Sequence, residues 1–489
     1  MSAGGKTIAK NMGVMMITQI ITWVLSFIIA IFLPRYLGPA DLGEISLANS
    51  IWMIMGVLIT FGMDLHLTKS VARDPTQTPD LLGTSLVIRT LFFFVACVLV
   101  GIYLYVLKFS MKTVYVSLIV GLGALLGVYS TGLTAIVVGL ERMGITSLST
   151  IVRQALLVGL TLLLIFLNAG LYPITAINIV TNFVALGLMV YLLNRQYRLH
   201  LRVNFSAMRS MLQASAPYLV TALALVVYQQ IDRLFIAGMV DTRTVGWYST
   251  AMNLFGTTMF VPVVIGTVLL PILSRTYASS PQQLQDITRR SFDLMFLISM
   301  PVGLGTVIIA NPLILLLYGP EFAQSGPILA VLGVVMIFTY LNTLLGQLLI
   351  STDRTHKWNL VMIGGILITV PLDLVLVPWT RDTFGNGALG GTIAFLFTEF
   401  EMVVGAVLLL PKGTLQWSNV RTASLALLAG VAMLGAGWWL RETMLPLAIL
   451  VSAVTYIGLV FLLRIVPKQD LLLLRDMVLQ ILKRVRRTP

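Results

Sequence analysis

Apolar runs separated by short polar breaks fill this chain, at 12–34, 43–65, 83–107, 114–139, 145–167, 174–194, 213–239, 245–271, 290–313, 326–350, 356–379, 387–410, 421–441 and 445–464. A helix needs about 20 mainly apolar residues to cross a bilayer. In lipid the backbone must satisfy its own hydrogen bonds, so the pattern predicts an all-α polytopic membrane protein with about fourteen transmembrane helices. The breaks are too short for a soluble catalytic domain. The first run follows Lys6 and Lys10, is too long for a signal-peptide core and lacks a small-residue cleavage site, which predicts an uncleaved first helix.

A weak internal repeat organises these runs. Leu42-Gly43-Glu44-Ile45-Ser46-Leu47-Ala48 matches Val245-Gly246-Trp247-Tyr248-Ser249-Thr250-Ala251 at an offset of 203, and Gly139-Leu140-Glu141-Arg142 matches Ser351-Thr352-Asp353-Arg354 at an offset of 212. Six helices separate the copies, an even number, so both halves insert the same way around an axis along the membrane normal. The expected domains are a six-helix lobe over 1–194, a connection over 195–212, a second six-helix lobe over 213–410, two extra helices over 411–467 and a basic amphipathic tail over 468–489. That tail sets Leu471–Leu474, Met477, Val478, Ile481 and Leu482 among Arg475, Lys483, Arg484, Arg486 and Arg487. It suits either an anionic leaflet surface or ordinary topology anchoring.

Composition agrees: 58% of residues are hydrophobic and 10% charged, against roughly 45–50% and about 25% in soluble domains. The net charge of +13 could suggest nucleic acid. With the N-terminus inside, however, only six of the 32 lysines and arginines fall on outer loops (Arg35, Lys108, Lys112, Arg243, Arg381 and Arg441) and three lie within helices. This is the positive-inside distribution, which predicts both termini in the cytoplasm and needs no nucleic acid. Cys97 stands alone and can form no intrachain disulfide.

Several stretches resemble a known family: Arg35-Tyr36-Leu37-Gly38-Pro39-Ala40-Asp41-Leu42-Gly43, Ile231-Asp232-Arg233 followed by Gly238, Gly246-Trp247-Tyr248, and Asp353-Arg354. They are similar to the polysaccharide transporters, the Wzx-type oligosaccharide flippases of the multidrug/oligosaccharidyl-lipid/polysaccharide exporter superfamily. The resemblance implies a MATE-like, V-shaped pair of lobes working by alternating access. It also implies transfer of a polyprenyl-pyrophosphate-linked oligosaccharide from the inner to the outer leaflet of the cell membrane for cell-surface polysaccharide synthesis. Expected partners are that lipid-linked substrate, membrane lipids, a coupling proton or sodium ion, and a polysaccharide polymerase with glycosyltransferases. The first-helix acidic pattern of multidrug relatives is missing, as is the asparagine-proline pattern of lipid II flippases.

Charges inside a bilayer are costly, so each one is a candidate site residue. Arg89 and Arg153 lie about 10 and 12 Å inside the inner ends of their helices, where a guanidinium suits a pyrophosphate; snorkelling or a structural ion pair is the competing account. Asp232 and Arg233 are adjacent, about 100° apart, and cannot both point directly into one narrow cavity. Gln229 and Gln230 precede them and suit sugar hydroxyls. Glu399 and Glu401, about 200° apart, and Asp373 are candidates for ion coupling. Substrate-binding candidates are thus Arg89, Arg153, Gln229, Gln230, Asp232 and Arg233.

No phosphate-binding loop, paired-cysteine metal site, zinc-protease helix or dinucleotide fingerprint occurs, so no catalytic residue, metal or cofactor is expected. The competing function is an ion-coupled multidrug-type antiporter of soluble organic substrates, which would favour an acidic cavity. A membrane glycosyltransferase would need a large outer loop, and none is present.

Overall fold

The structure is a computed structural model describing residues 3–197, 201–410 and 414–465. The tail 468–489, Lys412, and Arg198 and His200 of the 195–212 connection lie outside the described residues. Among those described, every regular element is helical. In chain order they are α1 (Ala3–Thr60), α2 (Met63–Arg73), α3 (Thr78–Val106), α4 (Met111–Gly139), α5 (Met143–Phe166), α6 (Leu171–Tyr197), α7 (Phe205–Met239) and α8 (Thr242–Thr258). They continue with α9 (Phe260–Ser279), α10 (Pro281–Tyr318), α11 (Ser325–Ser351), α12 (Thr355–Phe384), α13 (Gly387–Leu408), α14 (Trp417–Trp438) and α15 (Leu445–Leu462). Single turns of 3-10 helix precede α3 and α11.

Thirteen helical stretches are long and apolar enough to cross a membrane. The first, Thr18–Thr60, runs 43 residues, about 65 Å at 1.5 Å per residue, or twice the hydrocarbon thickness. It covers most of the first two expected spans, broken at Gly38, whose φ of 71° and ψ of 172° are not helical and which Pro34 and Pro39 flank. Thus the fourteen expected segments are all present, in a multi-pass membrane protein. The second ends at Thr60 rather than 65 because Phe61 (φ 49°) and Gly62 (φ 71°) turn the chain into α2. The eighth is divided at Met259 into α8 and α9.

The described chain forms two compact units. One comprises Met1–Thr257, Ile314–Ile328 and Asn359–Thr398; the other comprises Thr258–Leu313, Leu329–Trp358 and the chain from Glu399. Within the first, Met63, Leu67, Leu82, Ile136 and Leu193 make a core around α2. In the second, Met300, Ile308, Ala429, Met433 and Tyr456 join α10, α14 and α15. Large apolar side chains point outward instead, such as Phe94, Tyr105, Phe166 and Leu428, as lipid-facing surfaces require.

One crossing in the first unit involves the matched glycines. A Cβ on Gly43 would lie 1.6 Å from the Thr242 carbonyl oxygen, and a Cβ on Gly246 would lie 1.9 Å from that of Pro39. The contact is reciprocal: each glycine meets the carbonyl four residues before the other. Thr242 Oγ1 donates to Glu44 Oε1 at 3.1 Å beside it. Glu141 and Asp353, in the other matched pair, both take left-handed φ values of 58° and 57°. Lys108, Asn168 and Arg464 end helices the same way, so that second likeness is a common helix exit.

Candidate functional site

Four helices of the first unit bring polar side chains together in an otherwise apolar interior. On α7 these are Gln230, Asp232 and Arg233; α1 supplies Ser50, α8 Tyr248 and α12 Asp373. Tyr248 Oη donates to Asp232 Oδ2 at 2.8 Å, and the Asp373 carboxyl group is the electrostatic neighbour of that of Asp232. Ser50 Oγ donates to Gln230 Oε1 at 2.9 Å, and Arg233 Nη1 donates to the same oxygen at 2.5 Å. The Arg233 guanidinium lies 5.7 Å from the centre of the Tyr248 ring. Gly391 of α13 closes the back, since a Cβ there would sit 3.7 Å from that of Asp232.

The burial is severe: Asp373 is 0% exposed, Tyr248 2% and Asp232 5%. Among the described residues, Asp232 Oδ1 and both Asp373 oxygens receive no hydrogen bond from a protein donor. Two neighbouring buried carboxyl groups leave a demand for compensation in such a place, because buried ions need partners. One tyrosine hydroxyl and a nearby arginine engaged by Gln230 supply only part of it. The pair of acids therefore has the chemistry to hold a proton or a small cation.

The other sequence candidates are distributed elsewhere. Arg89 is wholly buried and bonded inside the protein, to Asp64, to the Val128 carbonyl at 2.6 Å and to Thr131 Oγ1 at 2.9 Å. Arg153 is half-buried on α5, with a long 3.5 Å contact to Gln154 Oε1, and Gln154 reaches Ser26 of α1 at 3.0 Å. Gln229 is exposed. In the second unit Glu399 is 1% exposed and takes hydrogen bonds from Asn342 Nδ2 on its side chain at 2.7 Å and on its carbonyl at 2.9 Å. Glu401 is half-buried, and its Oε2 has no partner among the described residues.

Two participants escape a reading of charges alone. Tyr248 stands in a quoted motif but carries no charge, and Ser50 is an ordinary helix hydroxyl. The family-like stretch 35–43 and Trp247 serve local packing: Asp41 pairs with Lys112, Arg35 donates to the Leu316 carbonyl at 3.3 Å, and Trp247 Nε1 donates to that of Glu321 at 2.9 Å.

The sequence profile of the family described as polysaccharide biosynthesis protein matches residues 32–327. The chain belongs to that family. It is 20% identical over 394 residues to the probable low-salt glycan biosynthesis flippase Agl15 of Haloferax volcanii, covering 78% of this chain and 79% of that protein. Its fold is that of the lipid II flippase MurJ in an inward closed conformation, with a TM-score of 0.71 and 12% identity over 95% of this chain and 100% of that one. An inward-facing MATE family multidrug transporter of the MOP superfamily matches with a TM-score of 0.64 and 13% identity, over 86% and 96% of the two chains. The fold is therefore MATE-like.

Proposed function

We propose that this protein is a flippase that carries a polyprenyl-pyrophosphate-linked oligosaccharide from the inner to the outer leaflet by alternating access. It works in the cell membrane with both termini cytoplasmic, as the distribution of lysine and arginine favours. Family membership supports the glycan pathway, the glycan flippase relative supports the carrier role, and a polymerase and glycosyltransferases are the expected neighbours. The protein moves its substrate without changing a covalent bond.

The observation that carries the reading is the buried Asp232–Asp373 pair bonded to Tyr248. A proton or sodium ion bound between these acids sets the charge of a cluster that ties α7 to α8 and α12, while Gln230 and Arg233 extend it to Ser50 on α1. Filling and emptying the pair changes the energy of those contacts, which is how an ion gradient biases a conformational equilibrium. Arg153, half-buried and weakly engaged, is the proposed pyrophosphate ligand. Arg89 is enclosed by Asp64, Val128 and Thr131, and its proposed role is to hold α2, α3 and α4 together.

The test is leaflet translocation of a polyprenyl-pyrophosphate oligosaccharide in proteoliposomes, with a proton or sodium gradient imposed in turn. Asp373→Asn should abolish the response to the gradient, and Arg153→Ala should weaken substrate dependence while leaving gradient sensitivity. The acidic pair also suits a soluble organic cation, the antiporter reading. Dye efflux without translocation of any lipid-linked sugar would establish that alternative.

A further inference from the structure

At one end of α10, α14 and α15, in the second unit, lies a cavity of about 570 Å³ whose wall is strongly basic. Arg289 and Arg290 come from α10, Arg421 from the first turns of α14, and Arg464 from the turn that ends α15. Two acids share the wall, and both have partners. Asp286 pairs with Arg289 Nη1 at 3.6 Å, and Asp293 accepts from Asn419 Nδ2 at 2.9 Å. No hydrogen bond or ion pair to Arg421 or Arg464 exists among the described residues. Arg464 also holds a left-handed φ of 50°, so a backbone turn directs its side chain.

Positive charge at an inner helix end is ordinary topology anchoring when it is scattered. Here three helices converge it on one concave space of small-ligand size. The outward face of α14 beside it is apolar apart from Ser424 and stepped at helical spacing: Trp417 is 81% exposed, Val420 49%, Leu428 61% and Val431 53%. At about 100° per residue these side chains lie within roughly 60° of Trp417 around the helix. A phosphate in the cavity would thus be continuous with a greasy track along the bilayer. A soluble phosphate has no use for such a track, whereas the acyl chains of a lipid do.

We propose that this cavity binds the phosphate headgroup of an anionic membrane phospholipid, with Arg421 and Arg464 as its principal ligands and the Trp417–Val431 face of α14 supporting its chains. Counting spans from the N-terminus sets the cavity on the N-terminal side, which is the inner leaflet in the orientation proposed above. Binding itself depends neither on that orientation nor on what the protein carries. Guanidinium forks suit phosphate oxygens, and basic pockets between transmembrane helices on the inner side suit anionic headgroups.

The experiment adds phosphatidylglycerol with brominated chains to the full-length protein in detergent and reads tryptophan quenching. The difference between the protein and its Trp417→Phe variant isolates this site. Half-saturation is expected at a lower concentration than for brominated phosphatidylcholine. Arg421→Ala with Arg464→Ala should raise it by about 25-fold, roughly five-fold per arginine, leaving phosphatidylcholine unchanged. The paired lysine variant, which keeps both charges, should retain most of the binding and controls for misfolding. Equal quenching by the two lipids, a lysine pair as weak as the alanine pair, or no change in the alanine pair would overturn the proposal. Displacement of the lipid by millimolar inorganic phosphate would overturn the lipid as the source of the phosphate. None of these outcomes involves transport, so they stand apart from the flippase test.

Discussion

Alanine at Gly43 or Gly246 should force α1 and α8 apart, and the size of the effect follows from the crossing. Ordinary van der Waals contact for a Cβ begins at 3.4 Å, whereas the added atom would lie 1.6 Å from the Thr242 oxygen at one site and 1.9 Å from the Pro39 oxygen at the other. The backbones must retreat by about 1.8 Å and 1.5 Å respectively. Both obstacles are main-chain carbonyls, which cannot rotate aside as a side chain can. Overpacking of this kind costs about 1–3 kcal/mol. If alternating access separates this crossing, the cost applies only while it is closed, and the open population rises about five- to 150-fold. Spin labels at Ala40→Cys and Arg243→Cys, both exposed, on a Cys97→Ser background would report the separation by double electron–electron resonance. Each alanine variant should show a grown population at longer distance. The double variant should add less than the two singles, because both clashes act at one crossing. Gly56→Ala is the control on the same helix, since nothing lies within 4 Å of its added Cβ. Unchanged distance distributions and unchanged thermal stability in the Gly43 and Gly246 variants would refute the reasoning.

Asp64→Ala should lower stability by about 3 kcal/mol, the lower end for a broken buried pair because the Asp64 side chain is 40% exposed and water can enter; thermal unfolding of the purified protein measures it, and adding Arg89→Ala should recover part of the loss. Glu399→Gln should keep the protein stable because an acceptor for Asn342 remains, whereas Glu399→Ala should cost about 1–3 kcal/mol; loss of gradient response in the stable glutamine variant would assign Glu399 to coupling rather than structure. Asp74, outside the spans, has its carboxyl held below the usual range by hydrogen bonds from the Thr76 and Gln77 side chains and the Thr76 amide, at 2.6, 2.9 and 3.0 Å. A depressed carboxylate stabilises above its ordinary value of 3.8 and loses that effect as pH falls through the folded value, so the turn before α3 should be intact at pH 7. Asp74→Ala should then speed tryptic cleavage after Arg73 at pH 8, and an unchanged rate would count against the cap.

The spans were legible because each rests on an average over some twenty residues, which tolerates errors of a few positions. The expected end at 65 missed the turn at Phe61–Gly62, where a Cβ on Gly62 would lie 2.8 Å from the Ser215 carbonyl; that contact spans more than 150 residues and has no local signature. The site depends instead on which side of each helix a residue faces. Asp232 and Arg233 are neighbours, yet one turns to Tyr248 and Asp373 and the other to Gln230. Charge alone marks both and separates neither. The missing phase was nevertheless present in the glycine match. Gly246 must face the α1 backbone, because only a residue without Cβ fits 1.9 Å from Pro39. Tyr248 follows two positions later, about 200° around the helix, and therefore faces away from that crossing. There it meets Asp232. Reading Gly43 and Gly246 as a backbone crossing thus orients α8 and makes Tyr248 a candidate that neither hydropathy nor charge could have named.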